Sequence, residues 1–372
     1  MIYLDNAATT FPKPTIVADE VMRCITEYCG NAGRGAHALA LACATKIYEC
    51  REALAAFLGL QAPERIVFCS NTTHALNLAL RGLIKPHSHV LLSELDHNAT
   101  RRPVCALERE RDVQYDLFPV LGRSTEDILQ GIRARIRPET TAIICTHASN
   151  VCSVTLPVRE IGALCHTHGL LFILDAAQSA GHVPIDMQAM HISALAAPSH
   201  KGLLGIQGAG ILALGEGAMP LPLLHGGSGV DSLSPDMPQW LPERLEAGTL
   251  PTPAIASLHA ALSYLDKRSI EEITKEEHTL FFAARERLES LDGVHVLARE
   301  WPGAVLSFTR VGYDSTEIAA TLAARGICVR AGLHCAPLAH RALGTLPGGT
   351  VRLSFGPFNT LADVDAVWRA LR

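Results

Sequence analysis

"PVREIGALCHTHGLLFILDAAQSAG", residues 157–181, decides the fold. Pro157 near its start and Gly169 past its end bracket a helix-length segment. The chain then passes at once into "LLFILDAA" (170–177), a run apolar on both faces. A strand hidden on both faces belongs to a parallel sheet covered by helices. Working outward, "RIVFCS" (65–70), "HVLLSEL" (89–95), "TTAIICTH" (140–147) and "AGILALG" (209–215) are runs of the same kind, separated by helix-length segments. This alternation predicts an α/β fold with a mostly parallel central sheet. "TEIAATLAARG" (316–326) reads as a further helix capped by Thr316, and "LPTPAIASLHAALSYLDK" opens a long helical stretch near residue 250, after which the alternation loosens. The expected division is a large domain over 15–255 and a smaller α+β domain made of 1–14 and 256–372.

Composition narrows the class of function. Of 372 residues 48% are hydrophobic and 19% charged, which is apolar enough to expect surface buried between subunits, yet no run of 18 apolar residues occurs. A net charge of -5, without a basic stripe, excludes nucleic acid and anionic membrane as natural partners and leaves small molecules. The eleven cysteines include no CxxC pair, so no metal site is expected, and "MIYLDNAATT" has neither a basic nor an apolar leader region. A cytoplasmic protein with mostly buried, apolar cysteines is the expectation.

In open α/β sheets ligands bind beyond the carboxyl ends of the strands, so the polar residues there matter most. Asn71, Thr72, Thr73 and His74 follow the first run and open a helix whose free N–H groups suit a phosphate, although Thr72 or Thr73 alone also reads as an N-cap. His97 and Asn98 follow the second run, and His147 and Asn150 the third. Asp175 ends the most apolar run, with Gln178 three residues on; a carboxylate there requires a cation or several donors. "APSHKGLLGIQGAG" (197–210) then places Lys201 among leucines and glycines, where burial lowers a lysine's pKa and frees its amine for Schiff-base chemistry. The glycines do not form GxGxxG, which disfavours a nicotinamide enzyme. An aspartate for a pyridinium nitrogen, a phosphate-binding helix start and a Schiff-base lysine together make a pyridoxal phosphate site.

The chain resembles the cysteine desulfurases of the class V aminotransferase superfamily (pyridoxal phosphate fold type I), on the NifS-like group II side shared with selenocysteine lyases. The resemblance runs over essentially the whole chain, through "YLDNAATTFPKP", "NAGRGAHAL", "SNTTHALN", "DHNA", "SNV", "LDAAQSAG", "SHKGLLGIQGAG", "ERLEAGT", "VRAGLHCAPLAH" and "GTVRLSFGPFNT". It implies that Lys201 carries pyridoxal 5'-phosphate and moves the substrate's Cα proton, and that Asp175 holds the pyridine nitrogen protonated. Gln178, with Asn150 nearby, matches the partner of the phenolic oxygen, and His97 the imidazole stacked on the ring. Thr72, Thr73 and His200 match phosphate contacts, and Thr249 one donated by a second subunit, which implies a homodimer. Arg352 matches the arginine that grips the substrate carboxylate, while Arg34 and His37 resemble residues at the substrate entrance.

Cys335, beside His334 and shortly after Arg330, implies a desulfurase rather than an aminotransferase. By resemblance it takes sulfur from L-cysteine as a persulfide, releases L-alanine, and passes the sulfur to an acceptor protein or small thiol. The neighbouring His334 and Arg330 are a setting that favours a thiolate. The chain departs from the family at Pro198, where a Ser or Thr phosphate ligand is usual; the expectation is that Ser199 substitutes through a shifted loop. His74 and "VCSV" (151–154) also depart from the usual residues. L-Selenocysteine needs nearly the same groups as L-cysteine, so a selenocysteine lyase, or another pyridoxal phosphate-dependent lyase or aminotransferase with Cys335 incidental, stays open as an alternative.

Overall fold

The structure is a computed structural model and describes residues 1–33 and 35–372; the expectation for Arg34 lies outside the described residues. In chain order the first strands are β1 (Ile2–Tyr3), β2 (Ile66–Cys69), β3 (His89–Ser93), β4 (Gln114–Phe118), β5 (Thr140–Thr146), β6 (Leu171–Asp175), β7 (Ala194–Pro198) and β8 (Gly210–Leu214). Strands β2 to β8 form one seven-stranded sheet in the order β2-β8-β7-β6-β5-β3-β4. The neighbours from β7 through β4 are parallel, and β8 is antiparallel to both β7 and β2, so β2 runs with the parallel set.

Side chains alternate across a strand, and here each face of the sheet feeds its own core. Ile66, Phe68, Ile143 and Cys145 enter one core, whereas Val67, Cys69, Ala142 and Ile144 enter the other. Helices close both faces, which is why these strands read as continuous apolar runs. The helix Val158–His168 ends at Gly169 in the left-handed conformation, as the spacing predicts.

A second sheet, of β9 (Val294–Val296), β10 (Val305–Arg310), β12 (Arg330–Gly332) and β13 (Thr350–Ser354), is antiparallel in the order β12-β13-β10-β9. It surrounds a separate core that contains Leu306, Phe308, Val351 and Leu353. The short β11 (Ile327–Cys328) pairs in parallel with β1. Ser153 fastens the two sheets: its Oγ donates to Val305 O at 2.8 Å and accepts from Val305 N at 2.9 Å.

Several expectations change. The "AGILALG" strand is antiparallel, because the chain reaches it from β7 by a turn too short for a crossover. Strand β4 was not anticipated, since "QYDLF" is only half-buried at the sheet edge; the stretch from Asp175 to Lys201 is long enough for one more helix and strand, and among the described residues it holds the strand β7 with no helix before it. The cap of the helix Ser315–Ala323 is Asp314, in a capping box with Glu317, rather than Thr316. The helix Thr252–Arg268 buries Ile255, Leu258, Ala261 and Leu265 in the large sheet's core, so a division at 255/256 would cut through it.

Candidate active site

β2, β3, β5, β6 and β7 point their carboxyl ends the same way, and a cavity of about 110 Å³ lies beyond them. Its lining includes Thr72, Thr73, His97, Asn150, Asp175, Gln178, His200 and Lys201. Eight residues expected from five separate stretches of sequence therefore meet in one place.

Each has a local reason for its position. The helix Thr72–Leu83 begins at the cavity, capped by Asn71 Oδ1, which accepts from His74 N at 2.9 Å; neither threonine is the cap. Gly210 on β8 makes room, since a Cβ there would lie 2.6 Å from the Asn71 backbone. Thr72 Oγ1 and His200 Nδ1 are buried at the cavity without a hydrogen-bond partner among the described residues. Two orphaned polar groups beside a helix N-terminus fit a phosphate.

Asp175 is buried, and one backbone donor, Ala177 N at 3.0 Å, reaches its Oδ1. Burial raises its pKa, with the Ala177 N–H and then Lys201 opposing, so a protonated ring nitrogen would complete its environment. Lys201 is pushed down to about 8, mainly by burial, with Asp175 opposing the shift. His97 caps the helix Asn98–Arg111 by accepting from Ala99 N at 3.0 Å, which leaves Nε2 with the proton. Burial, then Lys201, lowers its pKa to about 4, so a neutral ring faces the cavity. Gln178 Nε2 donates to Ala7 O at 3.0 Å, tying residues 3–13 to the site, and Thr10 N donates to His200 O at 3.0 Å.

The Cys335 loop is bound to the same rim. Asn98 N donates to Cys335 O at 2.8 Å and Asn150 Nδ2 to His334 O at 2.8 Å. Cys335 itself is exposed. His334 is not a cation beside it: burial first, then Arg352, push its pKa down to about 3. Arg330 and Arg352 sit opposite each other on β12 and β13. Arg352 is 1% exposed; its Nη1 donates to Asn150 O at 3.1 Å and its Nη2 pairs with Asp5 at 2.7 Å.

Arg330, Arg352 and Cys335 are not in the cavity's lining, and Ser199, Thr249 and His37 stand apart from it as well. Ser199, in the turn after β7, is buried and its Oγ donates to Ile206 O, while Pro198 and His200 on either side line the cavity, so its hydroxyl is engaged away from the place the shifted-loop expectation gives it. Thr249 lines a different cavity of about 460 Å³, with Arg51, Glu246 and Trp240. His37 caps the helix Ala38–Phe57 through Ala40 N at 3.3 Å. Residues not anticipated are Asp5, which pairs with Arg352, and Asp96, which is fully buried and accepts from Ser93 Oγ (2.8 Å) and Thr146 N (2.6 Å). Asp96 carries a signal like that of Asp175, a carboxylate close to the carboxyl end of an apolar strand.

Among the described residues no group of three or more histidine, cysteine or acidic side chains could hold a metal ion, and no helix is long and apolar enough to cross a membrane.

The family model "Aminotransferase class-V" matches residues 2–367. A probable cysteine desulfurase of Methanothermobacter thermautotrophicus is 34% identical over 100% of this chain and 94% of its own length. One of Mycolicibacterium paratuberculosis is 32% identical over 100% of this chain, which spans 55% of that longer relative. Among solved structures, the apo cysteine desulfurase of Thermococcus onnurineus NA1 superposes with a TM-score of 0.90 at 29% identity, covering 99% of this chain and 93% of that one. The cysteine desulfurase CsdA (S-sulfonic acid) of Escherichia coli gives a TM-score of 0.89 at 27% identity, with coverage of 99% and 93%. Matched along its full length in sequence and in fold, the chain belongs to the aminotransferase class-V family, among its NifS-like cysteine desulfurases.

Proposed function

We propose that this protein is a pyridoxal phosphate-dependent cysteine desulfurase that converts L-cysteine to L-alanine and leaves the sulfur on Cys335. The observation that carries this reading is the attachment of the Cys335 loop, through Asn98 and Asn150, to the rim of the cavity lined by Lys201, Asp175, Gln178 and His97.

In this reading Lys201 carries the cofactor, Asp175 meets its pyridine nitrogen, Gln178 its phenolic oxygen and His97 its ring face, and Thr72, Thr73 and His200 meet its phosphate. Bound there, pyridoxal phosphate supplies an electron sink that acidifies the substrate's Cα–H. Arg352 orients the substrate carboxylate, with Arg330 beside it, and Lys201, once its amine is free, takes the Cα proton. Cys335 attacks the substrate sulfur: the substrate Cβ–S bond breaks, an S–S bond forms, and the proton from the Cys335 thiol is balanced by one gained at Cβ. L-Cysteine and the thiol thus become L-alanine and a persulfide with no outside oxidant, and an acceptor protein or small thiol then removes the sulfur.

The reading includes a cytoplasmic homodimer. Thr249 and His37 stand apart from their own chain's cavity, and Thr249's cavity is bordered by the exposed Tyr48 and Trp240; both facts suit residues donated across a subunit interface. Two domains are part of the same reading, with the boundary moved to Ser269, between the helices Thr252–Arg268 and Ile270–Glu289.

Purified wild type and Cys335→Ala, loaded with pyridoxal phosphate, test the reading. Both should be yellow, and wild type alone should form alanine from L-cysteine. A variant active only with L-selenocysteine would move the reading to a selenocysteine lyase. Equal pyruvate formation by both proteins would leave Cys335 a bystander.

A further inference from the structure

Beneath the Cys335 loop runs a chain of polar groups, buried at its two histidines and half-buried at its ends, that the proposed reaction does not use. His334 Nδ1 lies 3.3 Å from His340 Nε2, His340 Nδ1 lies 2.7 Å from Thr345 Oγ1, and His334 Nε2 lies 3.4 Å from Arg330 O. His334 and His340 are 3% and 0% exposed, with ring planes 16° apart.

Thr345 Oγ1 also lies 3.3 Å from His340 O, and its one proton serves either that carbonyl or His340 Nδ1; one neutral arrangement keeps the contact to Arg330 O. If Thr345 donates to His340 Nδ1, then His340 Nε2–H donates to His334 Nδ1 and His334 Nε2–H donates to Arg330 O. Running the chain the other way would set a bare His334 Nε2 against the Arg330 carbonyl, two acceptors face to face. In the arrangement that keeps Arg330 O paired, both rings are neutral Nε2–H tautomers. Protonating His334 would aim two N–H groups at each other, in keeping with the low pKa that burial gives both rings.

The loop above this chain needs such support. His334 and Cys335 have φ of 49° and 57°, so two consecutive side-chain-bearing residues adopt the left-handed conformation that glycine favours. From the cavity side, Asn150 and Asn98 hold the two carbonyls of this pair. From the opposite side, the His334 ring is fixed by His340, and His340 by Thr345, with Gly349 N donating to Thr345 O at 2.8 Å.

We infer that His340 and Thr345 are positioning residues for sulfur transfer, holding Cys335 through the His334 ring in the backbone conformation that presents its thiol to the substrate. This rests on the reading of Cys335 as the sulfur-accepting thiol.

The test uses the cofactor-loaded enzyme and the variants Thr345→Val, Thr345→Ser, His340→Phe and Cys335→Ala. Removing the Thr345 donor with the isosteric Val should lower kcat for alanine formation on the order of tenfold to a hundredfold, with KM for L-cysteine and the cofactor absorption unchanged. Amide exchange across residues 330–336 should quicken in the same variant, and Thr345→Ser should restore both. His340→Phe should reproduce the Val phenotype; if it does not fold, the Val and Ser pair decides alone. Wild-type kcat and exchange in Thr345→Val, alongside an inactive Cys335→Ala, would overturn this inference and leave the desulfurase reading standing. Full activity in Cys335→Ala would instead overturn the reading on which it rests.

Discussion

Arg352 Nη2 stands 2.7 Å from Asp5 Oδ1, joining two residues 347 positions apart in the chain. With Nη1 on Asn150 O, the guanidinium is already oriented, while its Nε is buried without a partner among the described residues. An arriving carboxylate would meet a fork held in place before binding. Arg352→Lys keeps the charge but loses the planar fork. KM for L-cysteine should rise by about 10- to 100-fold, the worth of a charge-assisted hydrogen bond, with a smaller change in kcat. Steady-state kinetics with an unchanged KM would remove Arg352 from substrate recognition.

Lys201 titrates at about 8, below an ordinary lysine, because burial penalises its ammonium more than Asp175 supports it. Uptake of pyridoxal phosphate by the apo-protein requires the neutral amine. Below about pH 8 the neutral fraction falls with each unit of pH, so the rate of yellow colour development should rise roughly tenfold per unit from pH 6 and level off above 8. A rate flat from pH 6 to 8 would contradict a protonated Lys201 in the resting site. Lys201→Ala should not turn yellow at any pH.

Thr72 and Ser199 give opposite expectations from similar hydroxyls. Thr72 Oγ1 is an orphan at the cavity, whereas Ser199 Oγ is engaged with Ile206 O away from it. Thr72→Val should weaken cofactor binding by about tenfold, the size of one hydrogen bond, and Ser199→Ala should leave it unchanged. Equilibrium titration with pyridoxal phosphate compares them directly; weaker binding in Ser199→Ala alone would reverse the assignment.

Asp96 supports the site from within the sheet. Its Oδ1 accepts from Thr146 N, and Thr146 is paired in register with Asp175. Asp96→Asn turns one acceptor oxygen into a donor facing Ser93 or Thr146. Stability should fall by about 1–3 kcal/mol, seen as a lower Tm of the apo-protein, and a wild-type Tm would show that these donors find other partners.

The buried parallel strands were legible because a strand covered on both faces needs an unbroken apolar run, and "LLFILD" and "TTAIICT" are such runs. Strand β7 was legible as room for one more strand before Lys201 but not in its residues, because "ALAAP" becomes a strand through its neighbours β6 and β8 rather than through its own side chains. In the site, Asp175 and Lys201 announced themselves as charges in apolar surroundings. Asp96 carried the same mark but stood beside His97, which drew the attention. The orientation of Ser199 could not be read, since it depends on where β7 ends and on which side Pro198 then faces. The Asp5–Arg352 pair was out of reach for another reason: nothing local tells residue 5 that residue 352 will be its neighbour.

The stitching of residues 4–10 to Gln178, His200 and Arg352 sets an order in time. Leu4 is hydrogen-bonded to Ser354, Ala7 to Gln178 and Thr10 to His200. On a ribosome working at about 5–20 residues per second, Asp5 waits roughly 20 to 70 s for Arg352 to be made. The seven-stranded sheet can assemble during that interval, while the substrate-gripping corner cannot. A nascent chain would thus gain the groups that hold the cofactor well before those that grip the amino acid, and Leu4 and Asp5, made long before Ser354 and Arg352, would be among the last residues to find their partners.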